Sequence, residues 1–153
     1  MAVLTNNIHR PVRLPVGGVA FAELQLAGID EEIYIGSILL SDVGSNDGYF
    51  RALPDATAAA GDIFGGISLE RISVVSADAD GDKVVTAARD GVWGFAVGSL
   101  ARGDVGSPAY ASDDDTITTT ASNNQWVGTI VDVDATFVYV DISKAWMMNI
   151  TAT

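Results

Sequence analysis

Cysteine is absent from the 153-residue sequence and histidine occurs once, so several classes of functional site are excluded at the outset. Without cysteine the chain has no disulfide framework, no thiol nucleophile and no cysteine-ligated zinc. His9 has no second ligand or base near it in the sequence, which argues against a metal centre or a hydrolytic triad. We identify no catalytic residue, no cofactor-binding residue and no metal ligand, and we expect a protein that is not an enzyme.

Long apolar runs are also lacking. No stretch approaches the ~18 consecutive apolar residues that span a bilayer. The first residues do not contain the apolar core of a signal peptide. The sequence therefore predicts a soluble chain that is synthesised in the cytoplasm and has no membrane partner.

Positive charge is scarce, because only eight lysines and arginines accompany twenty aspartates and glutamates, for a net charge of −12. Phosphate recognition needs clustered Lys and Arg, so nucleic acid is excluded as a partner. Charged residues of both signs amount to 18% of the chain, below the usual ~25%, and such surfaces are common in proteins that pack against copies or partners. No acid precedes Glu23, whereas His9, Arg10 and Arg13 do. This asymmetry indicates either a basic arm for an acidic partner or a chance distribution of few basic residues.

The apolar residues, 48% of the chain, fall in short runs separated by glycine, aspartate and asparagine. In the clearest run, "TFVYVDI", the residues Val138, Val140 and Ile142 share one face, as the two-residue period of a strand requires. Short runs repeated along a chain with turns between them are typical of an antiparallel sandwich or barrel. We predict an all-β fold of this kind, with at most one short helical turn near residues 55–61.

Three turn sequences predict where the chain reverses. "RDG", residues 89–91, separates two strand-like runs and predicts a hairpin between them. "DADGDK", residues 78–83, lacks the spacing of an EF-hand and predicts a tight turn. "SDDDT", residues 112–116, predicts an exposed hairpin tip, with weak cation binding as the alternative, since clustered carboxylates attract a counter-ion.

The organisation of the chain follows from its prolines and from a repeated phrase. Pro11 and Pro15 cannot donate backbone hydrogen bonds, so we predict an extended N-terminal arm over residues 1–18. Residues 19–153 then form a single β-rich domain. Within it, residues 33–70 and 104–142 share an order of strand, turn, strand, loop and aromatic–glycine strand. The two stretches indicate either a duplicated unit or the ordinary self-similarity of β proteins.

The sequence "KAWMMNITAT" follows the last predicted strand and places Trp146, Met147 and Met148 side by side. Exposed apolar clusters usually mark an interface between proteins. We therefore predict that these three residues contact another subunit. The alternative is that the segment folds back on its own chain.

The stretch "GSPAYASDDDTITTTASNNQWVGTIVDVDATFVYVDI" resembles the C-terminal half of the small capsid decoration (cement) proteins of tailed bacteriophages. The similarity lies in a strand at 106–110, threonines at 118–120, a glycine-containing strand at 127–130 and a final alternating strand at 138–142. Upstream, "GDKVVTAARDGVWGFAV" is similar to the strand pair that precedes this unit in the family. The resemblance covers roughly residues 33–142, and Ser107-Pro108 departs from the simplest family pattern.

The resemblance implies a β-rich homotrimer on the exterior of the virion. It would bind at threefold or quasi-threefold positions, bridge copies of the major capsid protein and stabilise the shell. The arm would then contact the capsid through Val3, Leu4, Ile8, Arg10 and Arg13. Three other functions stay open: a β-rich head-fibre or tail component, a glycan-binding β-barrel module, and a small hydrolase.

Overall fold

The computed structural model describes residues 3–11, 21–42, 48–54, 58 and 62–145. In chain order its strands are β1 (Phe21–Gln25), β2 (Glu31–Ile33), β3 (Ile38–Ser41), β4 (Arg51–Ala52), β5 (Ile63–Ser68), β6 (Ile72–Val74), β7 (Val84–Ala88), β8 (Val92–Ala96), β9 (Pro108–Ala111), β10 (Ile117–Thr118), β11 (Gln125–Val133) and β12 (Phe137–Asp141). Every pairing between these strands is antiparallel, which confirms the predicted all-β fold. A 3-10 turn lies at Arg102–Asp104, and the turn predicted near residues 55–61 lies almost wholly outside the described residues.

The strands form three layers. The first sheet has the order β1-β7-β5-β3-β4, the second has the order β10-β9-β11-β12-β8, and β2 pairs with β6 in a small third sheet. In the part of the chain that the structure describes, neither large sheet closes on itself. The fold is therefore a layered sandwich, and the barrel alternative is not the architecture.

Two strands of the first sheet, β3 and β5, are buried on both faces, which explains why they are mostly apolar. Successive residues of a strand point to opposite faces. Leu40 accordingly lies in the core between the two large sheets, while its neighbour Leu39 lies in a second cluster on the far side. Ile33 of β2 and Val74 of β6 belong to this second cluster and cover it.

The second sheet contributes its inner face to the same inter-sheet core. Val138, Val140 and Ile142 are all fully buried there, so the alternation predicted for the last strand is confirmed. β11 and β12 pair as adjacent antiparallel strands around the turn at Asp134. The two-residue period was sufficient to predict the buried face of β12, because β12 pairs with β11, its neighbour in the sequence.

The hairpin predicted at residues 89–91 is wrong. β7 ends in the first sheet and β8 begins in the second, so these residues carry the chain from one layer to the other. β7 already pairs with β1 on one side and β5 on the other, which leaves no free edge for β8. Trp93 fixes the crossing, because its indole nitrogen donates a hydrogen bond of 2.7 Å to the Asp90 carbonyl.

The two large sheets repeat one strand order. The first unit begins with the edge strand β1, continues with the β3-β4 hairpin, and ends with β5 and β7, which lie between β3 and β1. The second unit uses β8, the β9-β10 hairpin, β11 and β12 in the same arrangement. The pairing register is repeated as well: β1 pairs with β7, and β8 with β12, over five residues each. The structural repeat spans residues 21–88 and 92–141, with β2 and β6 as additions to the first unit.

A shared backbone irregularity marks both units. The register shift between β3 and β5 skips Gly65, and the shift between β9 and β11 skips Val127. Each bulge is followed by a glycine with positive φ, Gly66 at +123° and Gly128 at +155°. A Cβ on either glycine would collide with a backbone carbonyl of the neighbouring strand. Only glycine fits such a position, so the aromatic–glycine phrase in the two sequence stretches has one structural cause.

Candidate functional site

The N-terminal segment (residues 3–11) lies against the body of the molecule and contacts both repeat units. Ile8 donates its backbone N–H to the carbonyl of Ile35 at 2.7 Å, just before β3. Gly94, in the edge strand of the second sheet, donates its N–H to the carbonyl of Pro11 at 2.9 Å. The segment therefore covers part of an edge strand that would otherwise present unpaired backbone groups.

Close packing on the segment explains the glycine within β8. A Cβ built on Gly94 would lie 2.5 Å from Cγ of Pro11. The proline ring occupies the space where any larger residue would place its side chain. A glycine inside a strand often marks such a close approach.

Arg10 fastens the segment. Its side chain is almost fully buried, Nε donates to the carbonyl of Gly36 at 2.8 Å, and Nη2 lies 2.8 Å from Oδ1 of Asp115. The guanidinium carbon also lies 4.1 Å from the centre of the Phe95 ring, a cation–π geometry. Burial lowers the pKa of Arg10, and the hydrogen bond to Asp115 opposes that shift.

The acidic loop (residues 112–116) is the other half of this site, and its predicted exposure is wrong. Asp113 and Asp114 are among the most buried polar residues of the chain. Oδ1 of Asp113 accepts the backbone N–H of Asp115 and of Thr116, at 2.8 and 2.7 Å, which shapes the turn. Its second oxygen is buried without a hydrogen-bond partner in the described part of the chain.

Asp114 connects the loop to the N-terminal segment and to the first unit. Oδ1 accepts the backbone N–H of Leu4 at 2.9 Å, and Oδ2 accepts the hydroxyl of Ser37 at 2.9 Å. Burial raises the pKa of this carboxyl from 3.8 to about 6, and the charges of Asp113 and Asp115 add to the rise. The hydrogen bonds donated by Leu4 and Ser37 favour the charged carboxylate, so they lower the pKa and oppose this rise.

The structure changes the interpretation of two predicted capsid contacts. Leu4 is a buried core residue, and Arg10 pairs with an acid of its own chain, so neither side chain is free for an external partner. Val3 remains 48% exposed, and half-buried Ile8 lines a cavity of about 170 Å³ beside Trp93. Arg13, Trp146, Met147 and Met148 lie outside the described residues.

The remaining acidic motif, residues 78–83, forms the predicted tight turn. Asp78 and Asp82 each accept a backbone N–H three residues away, and Asp80 accepts the N–H of Gly28 at 2.7 Å. Within the described ranges no group of three or more histidine or acidic side chains is placed to hold a metal ion. The same residues include no helix long and apolar enough to cross a bilayer.

Comparison of the chain with protein-family models, with curated proteins and with solved structures yields no match.

Sequence reasoning did not bring the acidic loop and the N-terminal segment together. The one signal for it is electrostatic, because consecutive acids at 113–115 face a segment in which the charged side chains are basic. From the sequence, the acids of residues 112–116 are predicted to form an exposed turn, and the basic residues indicate either an acidic partner or a chance distribution. A separation of more than a hundred residues hides such a pair from any local pattern.

Proposed function

We propose that this chain is a structural, non-enzymatic adhesion protein, and specifically a capsid decoration protein of a tailed bacteriophage. The observation that carries the proposal is the N-terminal segment, which is held extended on a rigid β body by buried polar contacts. The segment is anchored at Leu4, Ile8 and Arg10, and its exposed residues 3, 5–7 and 9 form the docking strip. A strip that is already ordered loses little conformational entropy when a partner binds it.

The chemistry of the chain supports binding over catalysis. The buried acids accept backbone and hydroxyl hydrogen bonds and serve to join parts of the fold. The resemblance to cement proteins supplies the partner: the major capsid protein, at threefold or quasi-threefold positions of the head. A homotrimer would present three strips together, and linked weak contacts gain strongly through effective concentration.

The proposal is tested with undecorated heads of the phage whose genome encodes the chain. Removing residues 1–13 is unsuitable, because it would delete buried Leu4 and Arg10 together with the exposed strip. We instead expect Val3→Glu to reduce binding to bare heads at least tenfold, because it places a charge in the docking strip. Binding is measured by co-sedimentation of purified protein with the heads.

The matched control is Val105→Glu, which changes an exposed valine at the 3-10 turn. It should bind the heads as the unaltered protein does, and both variants should unfold at the same temperature. Unaltered protein that stays in the supernatant with bare heads would overturn the proposal. If Val3→Glu and Val105→Glu bind the heads equally well, the exposed residues of the N-terminal segment are not the surface that contacts the capsid.

A further inference from the structure

The internal repeat identifies an edge strand that is covered in one unit and open in the other. Both β1 and β8 lie at the edge of their sheet. Glu23 is the third of the five residues of β1 and pairs with Thr86 of β7. Gly94 is the third of the five residues of β8 and pairs with Tyr139 of β12. Glu23 and Gly94 are therefore equivalent positions of the two units.

In the second unit, the N-terminal segment occupies both backbone groups at this position. Gly94 donates its N–H to the carbonyl of Pro11 at 2.9 Å, and its own carbonyl accepts Nη1 of Arg10 at 3.4 Å. An extended piece of chain thus supplies one acceptor and one basic side chain to the edge of the second sheet. This contact indicates what the equivalent edge of the first sheet can bind.

The backbone groups of Glu23 point away from β7. Thr86, its register partner, donates its N–H to Oε2 of Glu70 at 2.8 Å and accepts the N–H of Leu69 at 2.9 Å. In an antiparallel pair, residues that exchange hydrogen bonds alternate with residues whose backbone groups both point outwards. The N–H and C=O of Glu23 therefore face the open edge of the first sheet.

The open part of this edge is short and lies at residues 21–23. Beyond it, the carbonyl of Gln25 already accepts the N–H of Phe50 at 2.9 Å. In the part of the chain that the structure describes, no segment bonds to the outward groups of Phe21 or Glu23. Glu23 is exposed, and the Phe21 side chain is 63% exposed. Unpaired strand edges of this kind are templates for the addition of another strand.

Charge decides between the partners that the edge could take. Two copies that paired through this stretch would bring both Glu23 carboxylates together, and like charges on opposed strands destabilise the pair. Charged residues on edge strands commonly prevent such self-pairing. The chain as a whole carries a net charge of −12. The edge therefore favours a partner segment that is basic, as Arg10 is at the equivalent edge.

We propose that the edge of β1 binds an extended segment of the major capsid protein that carries a basic side chain. The segment adds to the first sheet as a further strand, with its carbonyl accepting the N–H of Glu23 and one of its donors bonding to the C=O. Its basic side chain lies beside the Glu23 carboxylate, and its apolar part covers Phe21. This inference rests on the proposed function and adds a contact that is separate from the docking strip.

The first test removes the outward N–H. Glu23→Pro does so without breaking a hydrogen bond to β7, because proline is tolerated on an edge strand where the N–H faces outwards. Glu23→Ala is the matched control, since it also lacks the carboxylate but keeps the N–H. In co-sedimentation with bare heads, we expect Glu23→Pro to bind about tenfold more weakly than Glu23→Ala, because the partner's carbonyl loses its donor.

Reversing the charge tests the chemistry of the partner and does not depend on how the proline variant folds. We expect Glu23→Lys to bind bare heads about fivefold more weakly than Glu23→Ala, because it opposes a basic segment. The control is Val105→Lys, which adds one positive charge at an exposed valine of the second unit and should bind as the unaltered protein does. Binding by Glu23→Lys at the level of Glu23→Ala, or above it, would overturn the proposal.

Amide hydrogen exchange, followed by NMR, shows whether the edge is open in the free protein. The amide of Glu23 should exchange fast, whereas that of Leu24, which by alternation faces β7, should exchange slowly. Slow exchange at Glu23 would mean that this chain or a second copy already covers the edge, and it would overturn the proposal.

The two proposals fail in different ways. Unaltered protein that does not bind bare heads would overturn the proposed function and this inference with it. Unaltered protein that binds the heads, together with equal binding by Glu23→Pro and Glu23→Ala, would keep the proposed function and overturn this inference alone.

Discussion

At the scale of single residues, Asp114 of the acidic loop is a carboxyl whose pKa is raised by burial. Its pKa in the folded chain is about 6, above the ordinary 3.8, so the folded state binds this proton more tightly than the unfolded state does. Its contribution to the free energy of unfolding is therefore full below about pH 4 and is lost as the pH rises through about 6. In Asp114→Asn that contribution no longer titrates, while the amide oxygen can still accept the N–H of Leu4.

We accordingly expect the unaltered protein to lose up to about 3 kcal/mol relative to Asp114→Asn as the pH is raised across this window. Urea denaturation at several pH values measures the difference. The control is Val75→Ala, at an exposed valine that does not titrate, and its offset from the unaltered protein should stay constant. If Asp114→Asn follows the unaltered protein at every pH, the buried contacts assigned to Asp114 are wrong.

At the scale of an element, the N-terminal segment depends on Arg10. Replacing Arg10 with Met keeps much of the apolar stem but leaves Asp115 without its partner and the Gly36 carbonyl without its donor. We expect a loss of about 3 kcal/mol in the free energy of unfolding, because breaking a buried pair strands the remaining charge. Chemical denaturation at neutral pH measures it.

Arg71→Met is the matched control for that change. Arg71 pairs with Glu32 at 2.6 Å between β2 and the start of β6, but its side chain is 56% exposed. Exposed ion pairs contribute little, so this variant should remain close to the unaltered protein. Equal effects from the two substitutions would show that the N-terminal segment is not fastened through Arg10.

At the scale of the whole molecule, the two repeat units share one core and should unfold together. Phe64 of the first unit is buried in the same cluster as Phe95 and Val140 of the second. We expect Phe64→Ala to cost about 3–5 kcal/mol, the usual range for a truncated core phenylalanine. The loss should appear in both units because neither can keep its inner face covered alone.

Intrinsic fluorescence and circular dichroism separate the units in this experiment. Of the three tryptophans, Trp93 and Trp126 belong to the second unit, Trp146 follows that unit in the sequence, and the first unit has none. Fluorescence therefore does not report on a tryptophan of the first unit, while circular dichroism follows all strands. The two probes should give one coincident transition before and after the substitution. A shift in circular dichroism with unchanged fluorescence would mean that the units unfold independently.

The sequence by itself determined the strand content and the local turns. Alternation in "TFVYVDI" gave the buried face of β12 correctly, and the acids of residues 78–83 gave a tight turn, because each depends on neighbours within a few residues. The repeated aromatic–glycine phrase also follows from local backbone geometry, since the bulge itself requires the glycine.

Only the tertiary structure decided which strands pair, which face of each sheet is covered and where the charges meet. Residues 89–91 have the sequence of a hairpin turn, but β7 has no free edge, so they connect the first sheet to the second. The sequence predicts that Asp114 is exposed, but in the fold it is buried and accepts the backbone N–H of Leu4, which lies 110 residues away in the sequence. Burial and pairing are properties of distant contacts, and the energy that selects them comes from surfaces that meet only once the layers have stacked.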